Sequence, residues 1–385
     1  MWMAIHWRSR YLEENLSNMT YQYIEQAAQL QQVVDVCSSA SVIAVDTEFA
    51  RTDTYYPIVG LIQIYDGNQC YLIDPLAVTD LSPLKGLMSS PDTLKLFHAC
   101  SEDIEVFQRC MGINPAPMFD TQIAAAALGT GFSMSYQRLV EHYLEITVPK
   151  EETRSDWLQR PLTTSQIKYA ALDVIYLFEV YGHQKTRLQQ LNRSHWVTED
   201  CEAMGTDIPT MADPDKFYLK LKGISRFDRH QLNVLKKLCA WREILAREKD
   251  VPRNRVVDQK AILAIAKYDL FEKDALQLEA NMSRGQVRRY GDDIIAIANG
   301  ARLQDEEECP PIITKDRTPI DNSLLKKLKE AVESYALESG ISPELLVKRR
   351  HLEALMKSSV LPAGLQGWRK EVVGTVLLDV LAVHS

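Results

Sequence analysis

With 385 residues, 46% hydrophobic and 25% charged, the chain is long enough for two or three domains with cores of their own and has neither a disordered nor a fibrous composition. No run of about 18 apolar residues offers a membrane span, and seven scattered cysteines without a Cys-x-x-Cys pair argue against structural zinc and against a disulfide framework, so a cytoplasmic location is expected. The formal charge of -8 is uneven: residues 21–212 carry 12 basic and 24 acidic side chains, whereas residues 216–302 carry 19 basic and 11 acidic ones, which points to metal-dependent chemistry in the first part and polyanion holding in the second.

Residues 1–18 lack the apolar core and small-residue cleavage site of a signal peptide and read as an extension ahead of Met19. Tyr21 to Cys37 pairs a short apolar start with the helical spacing Ala27, Leu30, Val33, Val34. Val42 to Phe49 is a β-branched strand that delivers Asp46 and Glu48 as burial ends. Residues two apart in a strand share a face, so these carboxylates point the same way, and without an intervening basic residue a divalent cation is their natural partner. The plainer alternative is a solvated strand end.

Leu61–Tyr65 and Cys70–Ile73 are strand candidates joined by Asp66-Gly67-Asn68, a hairpin signal. Leu94–Phe97 is a further strand, ended by His98. Ile104 to Met111 is helical, with Ser101 as its expected cap and Glu102 and Asp103 in its first turn. After Asp120 the pattern turns helical: Thr121–Leu128, Ser135–Tyr143 and a long helix over about Ser165–Leu191. Strands first and helices later describe an α/β domain with a mixed sheet. On the long helix Tyr169 and Asp173 lie four apart on one face, among Ile167, Ala170, Ala171, Val174 and Leu177. A carboxylate there is half-buried beside the sheet and either pairs with a base such as Lys168 or holds a ligand.

The polar stretch 150–164 leads into that helix, and its Arg154 and Trp157 are candidates to border a polyanion channel, with Trp157 alternatively anchoring the loop. Thr206 to Pro214 reads as a linker. Residues 215–300 are helix-rich, 301–319 form a second linker, and 320–385 are helical again. The two helical parts are repeats at an offset of 90: Leu235-Lys-Lys-Leu238 meets Leu325-Lys-Lys-Leu328, Val251 meets Ile341, Val257 meets Val347, Ile262 meets Leu352 and Ile265 meets Leu355.

Asp46-Thr-Glu48, His98-Ala-Cys-Ser-Glu-Asp103 and Tyr169-x-x-x-Asp173 together resemble the three motifs of the Asp-Glu-Asp-Asp exonuclease superfamily in its tyrosine-bearing branch. More closely, residues 21–385 resemble the bacterial ribonuclease D family, which joins a ribonuclease H-like exonuclease domain to helical domains shared with RecQ-type helicases (HRDC domains). No Gly-x-x-x-x-Gly-Lys-Ser/Thr loop is present, so the helicase engine is missing. The resemblance implies an exonuclease domain over 19–208, a first HRDC domain over 215–300 and a second, HRDC-like domain over 320–385. It further implies a 3'–5' exoribonuclease that releases nucleoside 5'-monophosphates, with two divalent ions, Mg²⁺ or Mn²⁺, held by Asp46, Glu48, Asp103 and Asp173 and with Tyr169 orienting the attacking water. The partner it implies is RNA, above all tRNA precursors; no obligate protein partner is evident in the sequence, and a monomer is expected. A DNA 3'–5' exonuclease and a catalytically silent RNA-binding scaffold are the alternatives.

Around this set, Asp120 is read as the cap of the Thr121 helix, with a supporting place in the site as the alternative. His98 is a candidate contact to a phosphate or product, with a polar strand-end histidine as the alternative. Phe49 and Leu61 are candidate wedges for the terminal base, Leu61 being read rather as core, and Gln63 is a candidate nucleotide contact. RNA holding is expected mainly from the first helical repeat, with its clusters Lys216 to Arg229, Arg253-Asn-Arg255 and Arg284 to Arg289. Bracing is expected from the second, where 303–385 carries a balance of -2 despite Lys348-Arg349-Arg350.

Overall fold

The computed structural model describes residues 20–148, 152, 154–205, 212–313 and 320–384. The expected extension 1–18 lies outside the described residues, as do most of the first linker and the end of the second. The chain divides into two compact units. One gathers residues 20–50, 59–205 and 320–384; the other gathers 51–58 and 212–313.

The first unit is built on a six-stranded sheet of β1 (Tyr21–Ile24), β2 (Val42–Ala50), β3 (Ile58–Tyr65), β4 (Cys70–Ile73), β5 (Leu94–Phe97) and β6 (Met118–Asp120), in the order β1-β4-β3-β2-β5-β6. β3 and β4 are antiparallel, while β1 with β4, β2 with β5 and β5 with β6 are parallel, so the sheet is mixed as expected. The β3–β4 turn is held by Asp66, whose Oδ1 accepts the Asn68 and Gln69 N–H groups at 2.7 Å each. The short strands β1 and β6 leave too little alternation to be read from sequence.

Among the described residues, seven helices belong to the same unit up to residue 204: α1 (Ala27–Cys37), α2 (Ser82–Ser89), α3 (Ser101–Met111), α4 (Thr121–Ala127), α5 (Tyr136–Leu144), α6 (Thr164–Gln190) and α7 (Ser194–Met204). Period-two alternation divides the strands between two cores. Ile43 and Val45 of β2 join Ile62, Ile64 and Phe97 under α1, α2 and α3, while Ala44 joins Leu61, Leu72 and Leu96 under Ala170, Ala171, Val174 and Leu177 of α6. Asp46 and Glu48 have the parity of Ala44 and therefore face α6. A one-residue slip would bury both carboxylates in the opposite core and expose side chains worth about 1.5–3 kcal/mol each, so the register is firmly set. Helix α6 starts in a capping box: Thr163 Oγ1 accepts from Gln166 N at 3.1 Å and Gln166 Oε1 from Thr163 N at 2.9 Å.

Ser101 does not cap a later helix; it is the first residue of α3. Ala99 takes the left-handed conformation, φ 55°, and the Cys100 N–H donates to Asp120 Oδ2 at 2.8 Å, so a carboxylate from another element anchors this turn. The other oxygen of Asp120 accepts from Gln122 N at 2.7 Å and Ile123 N at 3.3 Å, which makes it the cap of α4 as expected.

The second unit holds α8 (Arg229–Glu248), α9 (Arg253–Val256), α10 (Gln259–Tyr268), α11 (Lys273–Leu278) and α12 (Arg284–Arg302), closed over a core that includes Leu235, Leu238, Ile262 and Ile265. Tyr55, from the 51–58 segment, is buried in that core at 3% exposure. Its hydroxyl donates to Glu243, which also takes Arg247 Nε at 2.9 Å and the Arg253 guanidinium, and its N–H donates to Asp250 Oδ1 at 3.0 Å. Burial works against the Glu243 charge, but Arg253, Tyr55 and Arg247 outweigh it and hold the carboxyl below its usual range.

The chain then returns to the first unit with α13 (Asn322–Ser339), α14 (Pro343–Leu346), α15 (Arg349–Ser358) and α16 (Thr375–Ala382). α14 and α15 lie 90 positions after α9 and α10, and α10 and α15 both end on a left-handed residue, Asp269 and Ser359. These helices share a core with α4 and α7. Trp368 stacks on Trp196 with ring centroids 4.3 Å apart, and Arg369 grips Asp200 through two bonds of 2.6 and 2.9 Å. The bracing expected of this repeat is thus present.

Candidate active site

A cleft of about 280 Å³ opens where β2 ends, lined by Asp46, Glu48, Phe49, His98, Asp103, Tyr169 and Asp173 among others. The acidic groups arrive by three routes. Strand parity turns Asp46 and Glu48 toward α6, where Asp173 stands one turn after Tyr169. Asp103 comes from the opposite layer, at the start of α3, and meets β2 through Thr47, whose hydroxyl donates to Asp103 Oδ1 at 2.5 Å. Thr47 has the parity of Val45, which explains how one strand serves both layers.

Carboxylate oxygens of Asp46, Glu48 and Asp173 lie within 4.8 Å of one another, while Asp103 stands in the same cleft without entering that closest set. Burial, followed by the charges of Asp103, Asp173 and Glu48, pushes Asp46 well above the usual carboxyl range. Glu48 is raised in the same way, by burial and then by Asp173 and Asp103. Asp103 and Asp173 are each pushed up to about 7, chiefly by burial. Among the described residues Asp173 Oδ1 is buried with no hydrogen-bond partner, which costs about 1–3 kcal/mol or more for a charged group. Like charges in contact and an orphaned oxygen fit a hard, oxygen-seeking cation.

Tyr169 donates to Asp173, and burial together with the charges of Asp173, Glu48 and Asp46 drives its phenol far above the ordinary value. His98 is lowered by burial against the opposing charge of Asp120, and its Nδ1 lies 3.0 Å from Thr121 Oγ1. Phe49 and His98 are in the cleft. Four other candidates are not. Leu61 is core, and Gln63 is fully buried with both amide atoms unpartnered, because its place in the middle of β3 keeps it from any surface. Trp157 is 3% exposed and packs beside Tyr169 with ring centroids 6.1 Å apart, so it anchors its loop, while Arg154 is exposed. Among the described residues Lys168 makes no pair with Asp173, whose carboxylate takes its side-chain hydrogen bond from Tyr169.

Thr47 and Tyr136 were missed by sequence reading. Tyr136 lines the cleft, and its hydroxyl donates to the Asp173 carbonyl. Its place at the first turn of α5, directly after Ser135, was the available signal, but nothing local says that this turn folds back on α6.

A four-carboxylate cleft beside a tyrosine, on a mixed sheet backed by helices, defines the chain as a 3'–5' exonuclease, and the profile of a 3'–5' exonuclease family matches residues 21–189. The HRDC domain profile matches residues 231–298. The chain is 42% identical to the ribonuclease D of Pseudomonas paraeruginosa over 367 residues, covering 94% of this chain and 97% of that protein, and 34% identical to the Escherichia coli ribonuclease D over 374 residues, covering 94% and 99%. The crystal structure of Escherichia coli RNase D, described as an exoribonuclease involved in structured RNA processing, superposes with a TM-score of 0.88 at 33% identity over 95% of this chain and all of that one. The chain belongs to the ribonuclease D family and is an exoribonuclease.

Proposed function

We propose that the chain trims 3' extensions from structured RNA, tRNA precursors above all, releasing nucleoside 5'-monophosphates at the cleft of Asp46, Glu48, Asp103 and Asp173. The convergence of these four side chains from both layers of the sheet carries the reading. Asp46, Glu48 and Asp173 would hold divalent ions, Mg²⁺ or Mn²⁺ by the hardness of the donors, with Asp103 completing the set. When bound, two such ions supply an activated water on one side of the scissile phosphate and charge neutralisation at the leaving 3' oxygen on the other.

The protein's own groups do the rest. Tyr169 keeps its proton throughout the working pH range, so it orients the water by hydrogen bonding and does not act as the base. Thr47 fixes the Asp103 carboxylate, and Tyr136 fixes the α6 backbone at Asp173. Phe49 borders the cleft as a wedge for the terminal base. The HRDC domain over 215–300 holds the RNA body through its basic side chains, and 320–385 serves as a second, HRDC-like domain that braces the exonuclease domain over 19–208. Seven free cysteines favour a reducing cytoplasm, and the protein works as a monomer.

The test is to incubate the protein with 3'-extended tRNA and with single-stranded DNA, in Mg²⁺ or in EDTA, beside Asp46→Ala and Asp173→Ala. Stepwise loss of 3' nucleotides from the tRNA in Mg²⁺ alone, absent in both variants, is expected. Cleavage in EDTA, or a clear preference for the DNA, would overturn the reading.

A further inference from the structure

A second cavity, of about 390 Å³, lies in the first unit away from the carboxylates. On one side stand Gln122 and Ile123 of α4 with Phe132 and Ser133 of the loop that follows; on the other stand Lys348, Arg350 and His351 at the start of α15. We propose that this cavity is an upstream nucleotide subsite, in which Lys348 and Arg350 hold an RNA backbone phosphate and the exposed ring of Phe132 stacks on a base. The inference rests on the exoribonuclease reading and adds a place for the strand that the catalytic cleft does not supply.

Uncommitted charge is the first support. Arg349 is spent on Glu353 at 2.7 Å, but neither Lys348 nor Arg350 has a carboxylate partner among the described residues. Of the two acids in the cavity wall, Asp200 is paired with Arg369 and takes Trp368 Nε1 at 3.1 Å, whereas Glu344 accepts from Ser342 and keeps its charge, which leaves one carboxylate against the two cations. The start of α15 has no side-chain cap, so its first N–H groups add to the positive field. Burial, followed by the charges of Arg350, Lys348 and Arg369, pushes the His351 imidazole below its ordinary value; its Nε2 accepts from Arg350 Nε at 3.3 Å, and its Nδ1 is buried without a partner among the described residues. The ring reaches this position only because residue 364 is glycine: a Cβ there would sit 2.5 Å from His351 Nε2.

Position is the second support. Phe132 is 46% exposed, unusual for a phenylalanine, and base stacking on such a ring is indifferent to sequence. Tyr136, four residues on, lines the catalytic cleft. Four residues span at most roughly 14 Å, so one strand can occupy both places with a few nucleotides between them.

The experiment measures binding of a fluorescently labelled 12-nucleotide RNA and of a dinucleotide by anisotropy in EDTA, where cleavage is stopped, across a salt series. The proteins are the wild type, Lys348→Glu/Arg350→Glu and Phe132→Ala, and the charged pair is exposed, with melting curves to verify folding. Each variant should bind the 12-mer about tenfold more weakly, the charge variant should lose about 0.7 of salt-dependence slope per phosphate contact, and dinucleotide binding should stay unchanged. A 12-mer affinity and salt slope equal to wild type in the charge variant would overturn the subsite. So would equal weakening on the dinucleotide, which would signal damage to the cleft. A parallel cleavage assay of the wild type in Mg²⁺ reports separately on the exoribonuclease reading.

Discussion

At the scale of single residues, the cleft is a place where protons and cations compete. Asp103 and Asp173 bind a proton more tightly in the fold than in the unfolded chain, about 7 against an ordinary 3.8. Their contribution to stability is therefore complete below about pH 4 and is lost as pH rises through about 7. The metal-free protein should melt at a lower temperature at pH 8 than at pH 5.5, and Mg²⁺ or Mn²⁺ should raise the melting temperature far more at pH 8. A rise as large at pH 5.5, measured by scanning calorimetry, would contradict the assignment of these groups. Tyr169→Phe keeps the packing but removes the hydroxyl, and kcat should fall about a hundredfold or more with KM little changed. The carboxylate cluster was legible in the sequence because its members sit in periodic elements, β2, α3 and α6, where parity or helix phase fixes the face of each. Thr47 and Tyr136 were not, since their partners come from other layers, 56 and 37 positions away.

At the scale of elements, the most informative comparison is between the two helical repeats. Their common offset of 90 was readable from leucine positions and is matched by the bounds of α9 with α14 and α10 with α15. Their surroundings were not readable: equal patterns end up in different units, because what differs is the partner each repeat covers. Tyr290 of the first is buried within its own helices, whereas Trp368 of the second stacks on Trp196 of α7. Trp368→Ala should therefore destabilise the first unit by about 3–5 kcal/mol in denaturant titrations, even though the residue is remote in sequence from the sheet. A sharper test is Gly129→Ala. Gly129 has φ 74°, and a Cβ there would lie 1.6 Å from the Gly340 carbonyl, so strain and overlap combine to a loss of about 3 kcal/mol or more. A near-neutral result would mean that α4 and α13 do not approach as described.

At the scale of the whole molecule, opposite charges are sorted into different parts of one chain, -12 over 21–212 and +8 over 216–302. Replacing Arg284, Arg288 and Arg289, all exposed, with glutamine should weaken tRNA binding and lower its salt dependence while leaving dinucleotide hydrolysis intact. These substitutions are a cleaner probe than a truncation after residue 214. Such a cut would also take away α13 to α16 and uncover Trp196 and the α4 face, so loss of activity would report on folding as much as on RNA holding.

The chain leaves the strand that carries Asp46 and Glu48, places Tyr55 inside the core of the second unit, and returns as β3. The second unit is consequently not a bead that can be cut from its string: it borrows an aromatic plug from almost 200 positions upstream. A fragment of residues 209–319 produced alone would fold around a hole the shape of a tyrosine, with Glu243 facing two arginines and no phenol. A synthetic peptide of residues 51–58 added in trans should fill that hole and raise the fragment's melting temperature, and a peptide carrying alanine in place of Tyr55 should not.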